Sequence, residues 1–202
     1  MAVAQRINGA LRRVPTWLLY VAGALLPAWY FYLGVAGRLG VDPIKGLEHQ
    51  LGEIALYGLV ATLAVTPLRR LTGVNLVRYR RAMGLVTFFW VVCHLLTWLI
   101  LDVGIPSQVW ADILKRPYIT IGMGAFVLMI PLAVTSNNMS IRRLGPVAWR
   151  RLHKLTYAAA VLGAVHYVML VKGWQLEPLI WLAVILGFLA LRLPWPKRLA
   201  AA

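Results

Sequence analysis

The chain has 202 residues, of which 61% are hydrophobic and 13% charged, with a mean hydropathy of +0.74. A soluble domain carries about a quarter charged residues, so this composition excludes one and points to an integral membrane protein. The single cysteine, Cys93, rules out an internal disulfide, and no CxxC or zinc-type cluster occurs.

Six apolar segments are predicted in chain order: Thr16–Ala36, Leu47–Thr66, Ala82–Leu101, Tyr118–Thr135, Leu155–Val171 and Pro178–Leu193. Most approach the ~20 residues that cross ~30 Å of hydrocarbon. The first follows Arg12 and Arg13 as a signal peptide would, but it lacks a small-residue cleavage site. Its aromatic run "WYFYL" suits a membrane interface, so it is read as a helix of the mature protein. Pro67, Pro106, Pro117, Pro146 and Pro178 are placed at helix boundaries, whereas Pro27 and Pro131 fall inside helices. The connections between segments read as loops. The fold class expected is therefore all-α: one domain over residues 1–202, a polytopic six-transmembrane-helix bundle.

The loops set the orientation. Arg6, Arg12 and Arg13 precede the first segment. Arg69, Arg70, Arg78, Arg80 and Arg81 lie between the second and third. Arg142, Arg143, Arg150, Arg151 and Lys154 lie between the fourth and fifth, and Arg192, Lys197 and Arg198 close the chain. No acid accompanies them. All six acids, Asp42, Glu48, Glu53, Asp102, Asp112 and Glu177, fall at or near the other side. The positive-inside rule then places both termini in the cytoplasm. The net charge of +15 thus reflects topology and attraction to anionic lipid in the bilayer rather than nucleic-acid binding. No glycine-rich turn follows a predicted strand, so no dinucleotide-binding module is visible.

Ionisable groups inside a membrane are costly and mark function. His94, in "FFWVVCHLLTWLIL", and His166, in "LGAVHYVML", lie deep in the third and fifth segments. These segments run in the same direction, and at ~1.5 Å per residue both histidines stand ~20 Å above the arginines that precede them. Two neutral imidazoles at one level on two helices can hold a haem iron from opposite faces. Gly163, one turn before His166, would leave room for a flat ring. The alternative is a pair of histidines bonded across helices to hydroxyls such as Thr97 or Tyr167. His153 sits ~20 Å below His166, at the cytoplasmic edge. It is a candidate ligand of a second haem, part of a quinone or flavin site, or an interfacial histidine bound to lipid phosphate. The position fourteen residues before His94 is Arg80, a poor iron ligand but a good partner for a propionate or a quinone oxygen. Arg81, Arg150 and Arg151 could bind propionates or a docking donor. Cys93 reads as a packing residue, and His49, beside Glu48, as a wet one.

"DPIKGLEHQLGEIAL" (42–56), "RRAMGLVTFFWVVCH" (80–94), "KRPYITIGM" (115–123) and "TSNNMSIRRLGPVAWRRLHKLTY" (135–157) carry a family resemblance. Over nearly its whole length the chain resembles the MsrQ family, also called YedZ. That family supplies the haem-bearing membrane subunit of a bacterial methionine sulfoxide reductase system, within the wider group of ferric reductase-like transmembrane domains. The resemblance implies an inner-membrane electron-transfer subunit with one or two b-type haems, with His94, His166 and His153 as metal ligands. Its partner would be MsrP, a periplasmic molybdoenzyme that carries the catalytic centre and repairs oxidised methionines in proteins. Electrons would come from the quinone pool or a cytosolic flavin reductase. FMN is attributed to the family too, although no motif locates it. Members of the wider group often carry a cytoplasmic flavin and nicotinamide domain and four ligating histidines. This chain has no such domain and has Arg80 where the fourth histidine would stand. Two other classes stay open: a cytochrome b anchor of another periplasmic oxidoreductase, and a cofactor-free transporter or assembly factor.

Overall fold

The computed structural model describes residues 2–171 and 175–192. Among these residues all regular structure is helical: α1 (Ala2–Arg13), α2 (Trp17–Val35), α3 (Pro43–Thr72), α4 (Arg80–Leu96), α5 (Pro106–Lys115), α6 (Pro117–Val134), α7 (Asn138–Leu152), α8 (Leu155–Leu170) and α9 (Leu176–Ala190). A 3₁₀ turn, Val77–Tyr79, leads into α4, and a π-helical segment, Thr97–Val103, continues it. Lys172, Lys197, Arg198 and the predicted end of the last segment at Leu193 lie outside the described residues.

The six predicted segments appear as α2, α3, α4 with its π extension, α6, α8 and α9. Four of them, Trp17–Val35, Pro43–Thr72, Val77–Val103 and Pro117–Val134, are long and apolar enough to cross a membrane. The apolar helices α8 and α9, at 16 and 15 residues, fall short of the ~20 of a straight crossing.

Local chemistry explains the ends. Asp42 caps α3 by accepting from the Lys45 amide at 3.1 Å, and Pro43 occupies the first helical position. Gly73 closes the helix in the left-handed conformation, at φ +78°. Pro67, expected at a boundary, lies buried inside α3, and the helix runs on to Thr72. Pro178, also expected at a boundary, sits in the first turn of α9, where a missing amide proton costs nothing.

Three short helices occupy stretches that sequence patterning reads as loops. Each is amphipathic and lies outside the bundle. α1 is fastened by its polar side to the α3–α4 connection. Asn8 donates to the Gly73 carbonyl at 3.0 Å and accepts from the Asn75 amide at 2.8 Å, and the Tyr79 hydroxyl bonds the carbonyls of Leu11 and Val14. α5 starts on Pro106. α7 starts on Asn137, whose side chain accepts from the Ser140 amide at 2.8 Å, and kinks at Gly145, where φ is +75°. These helices were missed because their apolar residues form a one-sided stripe, diluted by charge below the threshold of a spanning segment.

α3 is the hub, in contact with α2, α4, α8 and α9. Lipid tails are as apolar as leucine, so helices associate in a membrane through close packing of small residues. That is the pattern here. Gly23 of α2 meets Val86 of α4, and Gly58 of α3 meets Thr87. Ala159, Ala160 and Ala164 of α8 are wholly buried, packed among Leu59, Leu63, Met129 and Ile185. Large apolar side chains such as Leu25, Val127 and Ile180 face outward, as lipid contact allows.

A Cβ added at Gly58 would run into the Thr87 side chain, whereas one at Gly187 meets nothing within 4 Å among the described residues. Gly58→Val is therefore expected to cost about 1–3 kcal/mol, and Gly187→Ala to be neutral or stabilising. Thermal melts in detergent check both.

Candidate functional site

His94 on α4 and His166 on α8 are brought together, with ring centres 6.3 Å apart and planes at 75°. Each ring is aimed in the same way. His94 Nδ1 bonds the carbonyl of Glu48, in the early turns of α3, at 2.8 Å. His166 Nδ1 bonds the carbonyl of Tyr118, the second residue of α6, at 2.7 Å. A carbonyl only accepts, so both Nδ1 atoms carry the proton and both Nε2 lone pairs are left free. The cross-helix partners are thus backbone carbonyls rather than the hydroxyls of Thr97 or Tyr167. The Thr97 hydroxyl is spent on the Cys93 carbonyl of its own helix.

Two glycines make this possible. Gly52 lies four residues after Glu48, and a Cβ there would sit 3.2 Å from His94 Nδ1 and Cε1. Gly122 lies four residues after Tyr118, and a Cβ there would sit 2.8 Å from His166 Nδ1. In each case the imidazole crosses the bare face of a glycine to reach the carbonyl one turn back. Sequence reasoning missed both residues. A glycine inside a helix costs about 1 kcal/mol relative to alanine, and that cost is the signal that something approaches closely. Gly163, by contrast, packs against Leu59 at ordinary distance.

The spacing suits one metal between the rings. An imidazole nitrogen binds a metal at about 2 Å and stands about 1.1 Å from its own ring centre. Two rings on opposite sides of one metal therefore have centres about 6.2 Å apart. Among the described residues no group of three or more His, Cys, Asp or Glu is placed to hold a metal ion. The donor set is this pair of imidazoles, with no carboxylate or thiolate joining it. Cys93 packs beside Leu47, Leu51 and Ile54, and His49 stays on the exposed face of α3.

The remaining site residues gather at the other end of the bundle, where α4 begins. Arg80, Arg81, Arg150 and His153 line a cavity of about 770 Å³, together with Arg78 and Lys154. Arg151 is not on its wall. The inner lining is apolar, with Leu59, Phe88, Met129, Leu132 and Ala159, and no acid lines it. The Thr62 hydroxyl, on the same wall, is buried without a hydrogen-bond partner among the described residues. The space fits a cofactor-sized ligand with an apolar body and an anionic or carbonyl-bearing edge.

His153 is held differently from the other pair. Its ring stacks on Trp149, with centres 3.8 Å apart, and its Nε2 lies 3.0 Å from the Thr135 hydroxyl. That hydroxyl already donates to the Pro131 carbonyl at 2.6 Å, so it accepts from His153, and Nε2 carries the proton. The free lone pair is therefore on Nδ1. Burial, then the nearby charges of Arg80 and Arg81, hold the imidazole pKa below its ordinary value, so the neutral ring persists at neutral pH. Arg192, at the end of α9, donates to the Tyr157 hydroxyl at 3.0 Å behind this wall.

The helical membrane domain, with its half-buried pair of histidines on α4 and α8, belongs to the ferric reductase-like class. Residues 47–164 match the family described as ferric reductase like transmembrane component. More narrowly, the chain is 51% identical over 181 residues to the "protein-methionine-sulfoxide reductase heme-binding subunit MsrQ" of Brucella ovis, and equally to those of Brucella canis and Brucella suis. The match covers 89% of this chain and 82% of each relative. The chain belongs to the MsrQ family. No solved structure matches it.

Thr135→Val keeps the shape of the side chain but removes the acceptor for His153. It is expected to cost about 1–3 kcal/mol, with Thr135→Ser close to wild type. Denaturation in detergent measures the difference.

Proposed function

We propose that the chain is a membrane b-type cytochrome of the bacterial inner membrane. It crosses six times with both termini in the cytoplasm. Electrons pass from the quinone pool, or from a cytosolic flavin reductase, to a periplasmic MsrP-like molybdoenzyme that reduces methionine sulfoxide in proteins. The observation that carries the proposal is the His94–His166 pair: two neutral imidazoles, free at Nε2, at the spacing one metal requires. The name of the MsrQ relatives, a heme-binding subunit of a protein-methionine-sulfoxide reductase, supports both the cofactor and the partner. The catalytic centre then lies on the partner, and this chain contributes no catalytic residue of its own.

In this role His94 and His166 would hold an outer haem through their Nε2 atoms. A bound haem supplies one-electron exchange at a potential set by its ligands and surroundings. The carbonyls of Glu48 and Tyr118 hold both imidazoles in the tautomer that presents Nε2 and raise their basicity. At the cytoplasmic end, Arg80, Arg81 and Arg150 offer cations to propionates, to a quinone oxygen or to a flavin phosphate. Arg151, outside the cavity, is left for attraction to a docking donor or to lipid. His153 is a ligand of an inner haem or a part of the donor site. Ligation through Nε2 requires its ring to leave Thr135, whereas Nδ1 is available as it stands. FMN, if bound, belongs in this basic cavity. Asp42, Glu48, Asp102 and Asp112 are the acidic groups nearest a periplasmic partner.

A cytochrome b anchor for a different periplasmic oxidoreductase would share the haem site and differ only in partner. Methionine sulfoxide reduction by purified MsrP, driven through this chain in vesicles, separates the two readings.

His166→Ala is expected to lose the outer haem completely while the protein still inserts. Gly122→Ala, which crowds His166, should lower the haem-to-protein ratio more than Gly52→Ala does. A full haem complement in His166→Ala contradicts the ligand assignment. In His153→Ala a ratio falling from two to one assigns an inner haem to that residue, and an unchanged ratio moves it to donor binding.

A further inference from the structure

The Glu48 carbonyl, which orients His94, sits in a turn held by a charged clamp. Lys45 Nζ reaches Glu48 Oε2 at 3.4 Å and also pairs with the carboxylate of Asp102. Asp102 belongs to the π-helical segment that continues the helix of His94. The carboxylates of Glu48 and Asp102 are 14% and 20% exposed, so both are largely withdrawn from solvent. The Lys45 amide is meanwhile bound by Asp42 at the start of α3. The turn from Lys45 to Glu48 is thus held at its start by Asp42 and across to α4 by Asp102.

The π segment makes this clamp possible. His94 and Asp102 are eight residues apart, and in an uninterrupted α-helix, at about 100° per residue, they would point about 80° apart. A π turn is wider, roughly 4.4 residues, and turns the chain about 82° per residue. Winding from Thr97 to Asp102 in this form brings Asp102 back to within about 10° of the direction of His94. Both side chains therefore face α3. His94 bonds the Glu48 carbonyl, and Asp102 takes the lysine three residues before it. π turns carry poorer hydrogen bonding than α turns and persist where a specific contact favours them.

We infer that Lys45 and Asp102 are positioning residues for His94, acting through the Glu48 carbonyl. This rests on the haem-ligand role of His94 proposed above. A firm Nδ1–H···O=C bond makes the imidazole a stronger donor to iron and favours the oxidised state. Releasing the clamp loosens that bond and shifts the outer haem toward the reduced state. The charges alone predict otherwise: loss of the Lys45 cation favours the oxidised state, and loss of the Asp102 anion favours the reduced one. The two causes thus differ in sign at Lys45.

The test is a spectroscopic redox titration of purified full-length protein, with low-temperature electron paramagnetic resonance, for wild type, Lys45→Ala, Asp102→Asn, the double variant and Lys45→Arg. Lys45→Gln replaces the alanine variant should that one fail to accumulate. The haem-to-protein ratio is expected to hold in all of them. Both single variants should raise the reduced-to-oxidised ratio of the outer haem threefold to tenfold at fixed potential, which is about 30–60 mV for a one-electron couple. Both should move its low-spin g values, the double variant should add little to either, and Lys45→Arg should restore the wild-type signal. Shifts of opposite sign with unmoved g values, or no shift in either variant, overturn the inference and leave the haem site standing. A haem complement unaffected by His94→Ala overturns the haem reading itself, and this inference with it.

Discussion

Everything at the centre of this protein depends on a hydrogen bond made twice: a histidine Nδ1 donating to a backbone carbonyl on a neighbouring helix. In a bilayer a histidine with no partner would be expensive, and one donating through Nε2 would carry its lone pair on Nδ1 instead. The carbonyls of Glu48 and Tyr118 resolve both problems at once. They satisfy the imidazole and choose its tautomer. The same bond fixes how closely α4 lies against α3 and α8 against α6, and those two pairs form the most extensive helix contacts in the bundle. Gly52 and Gly122 are the sequence cost of that closeness, and the small residues along α8 extend it. Packing and site geometry therefore have one cause.

The two ends of the bundle differ in character. One end joins an imidazole pair to acidic residues in the adjoining turns. The other surrounds a cavity with arginines, a lysine and a neutral histidine, and no acid lines it. The proposed electron carrier would have use for such polarity: a basic mouth attracts anionic or polar donors, and the histidine pair lies toward the opposite end. About 20 Å of helix separates His153 from His166, so the cavity and the histidine pair lie at different depths. The unpartnered Thr62 hydroxyl and the free Nδ1 of His153 both belong to the cavity. That end is equipped for a ligand's polar edge.

Much of this was legible in the sequence, for identifiable reasons. Long apolar runs mark helices because a bilayer tolerates little else, and α2, α3, α4 and α6 followed. His94 and His166 stood out because ionisable residues are rare in such runs, and counting residues from the flanking arginines put them at one level. The gathering of Arg80, Arg81, Arg150 and His153 was legible from the same count, although Arg151 was not separable from Arg150. What escaped was everything that depends on the backbone. The carbonyl partners carry no side-chain signature. Gly52 and Gly122 become meaningful only when a neighbouring ring is known. The π winding of Thr97–Val103 leaves no trace in composition, so Asp102 gave no hint that it turns toward Lys45. α1, α5 and α7 were hidden by charges that mask their apolar faces.

The central claim is that His94 and His166 present free Nε2 atoms to one iron. Low-temperature electron paramagnetic resonance of the purified oxidised protein addresses it most directly, read beside the reduced-minus-oxidised optical spectrum. A low-spin ferric signal of bis-imidazole character, with a b-type reduced spectrum, is the predicted result. A high-spin, five-coordinate signal as the only haem species, or a preparation with no haem absorbance after cells are supplied with haem precursor, would contradict it.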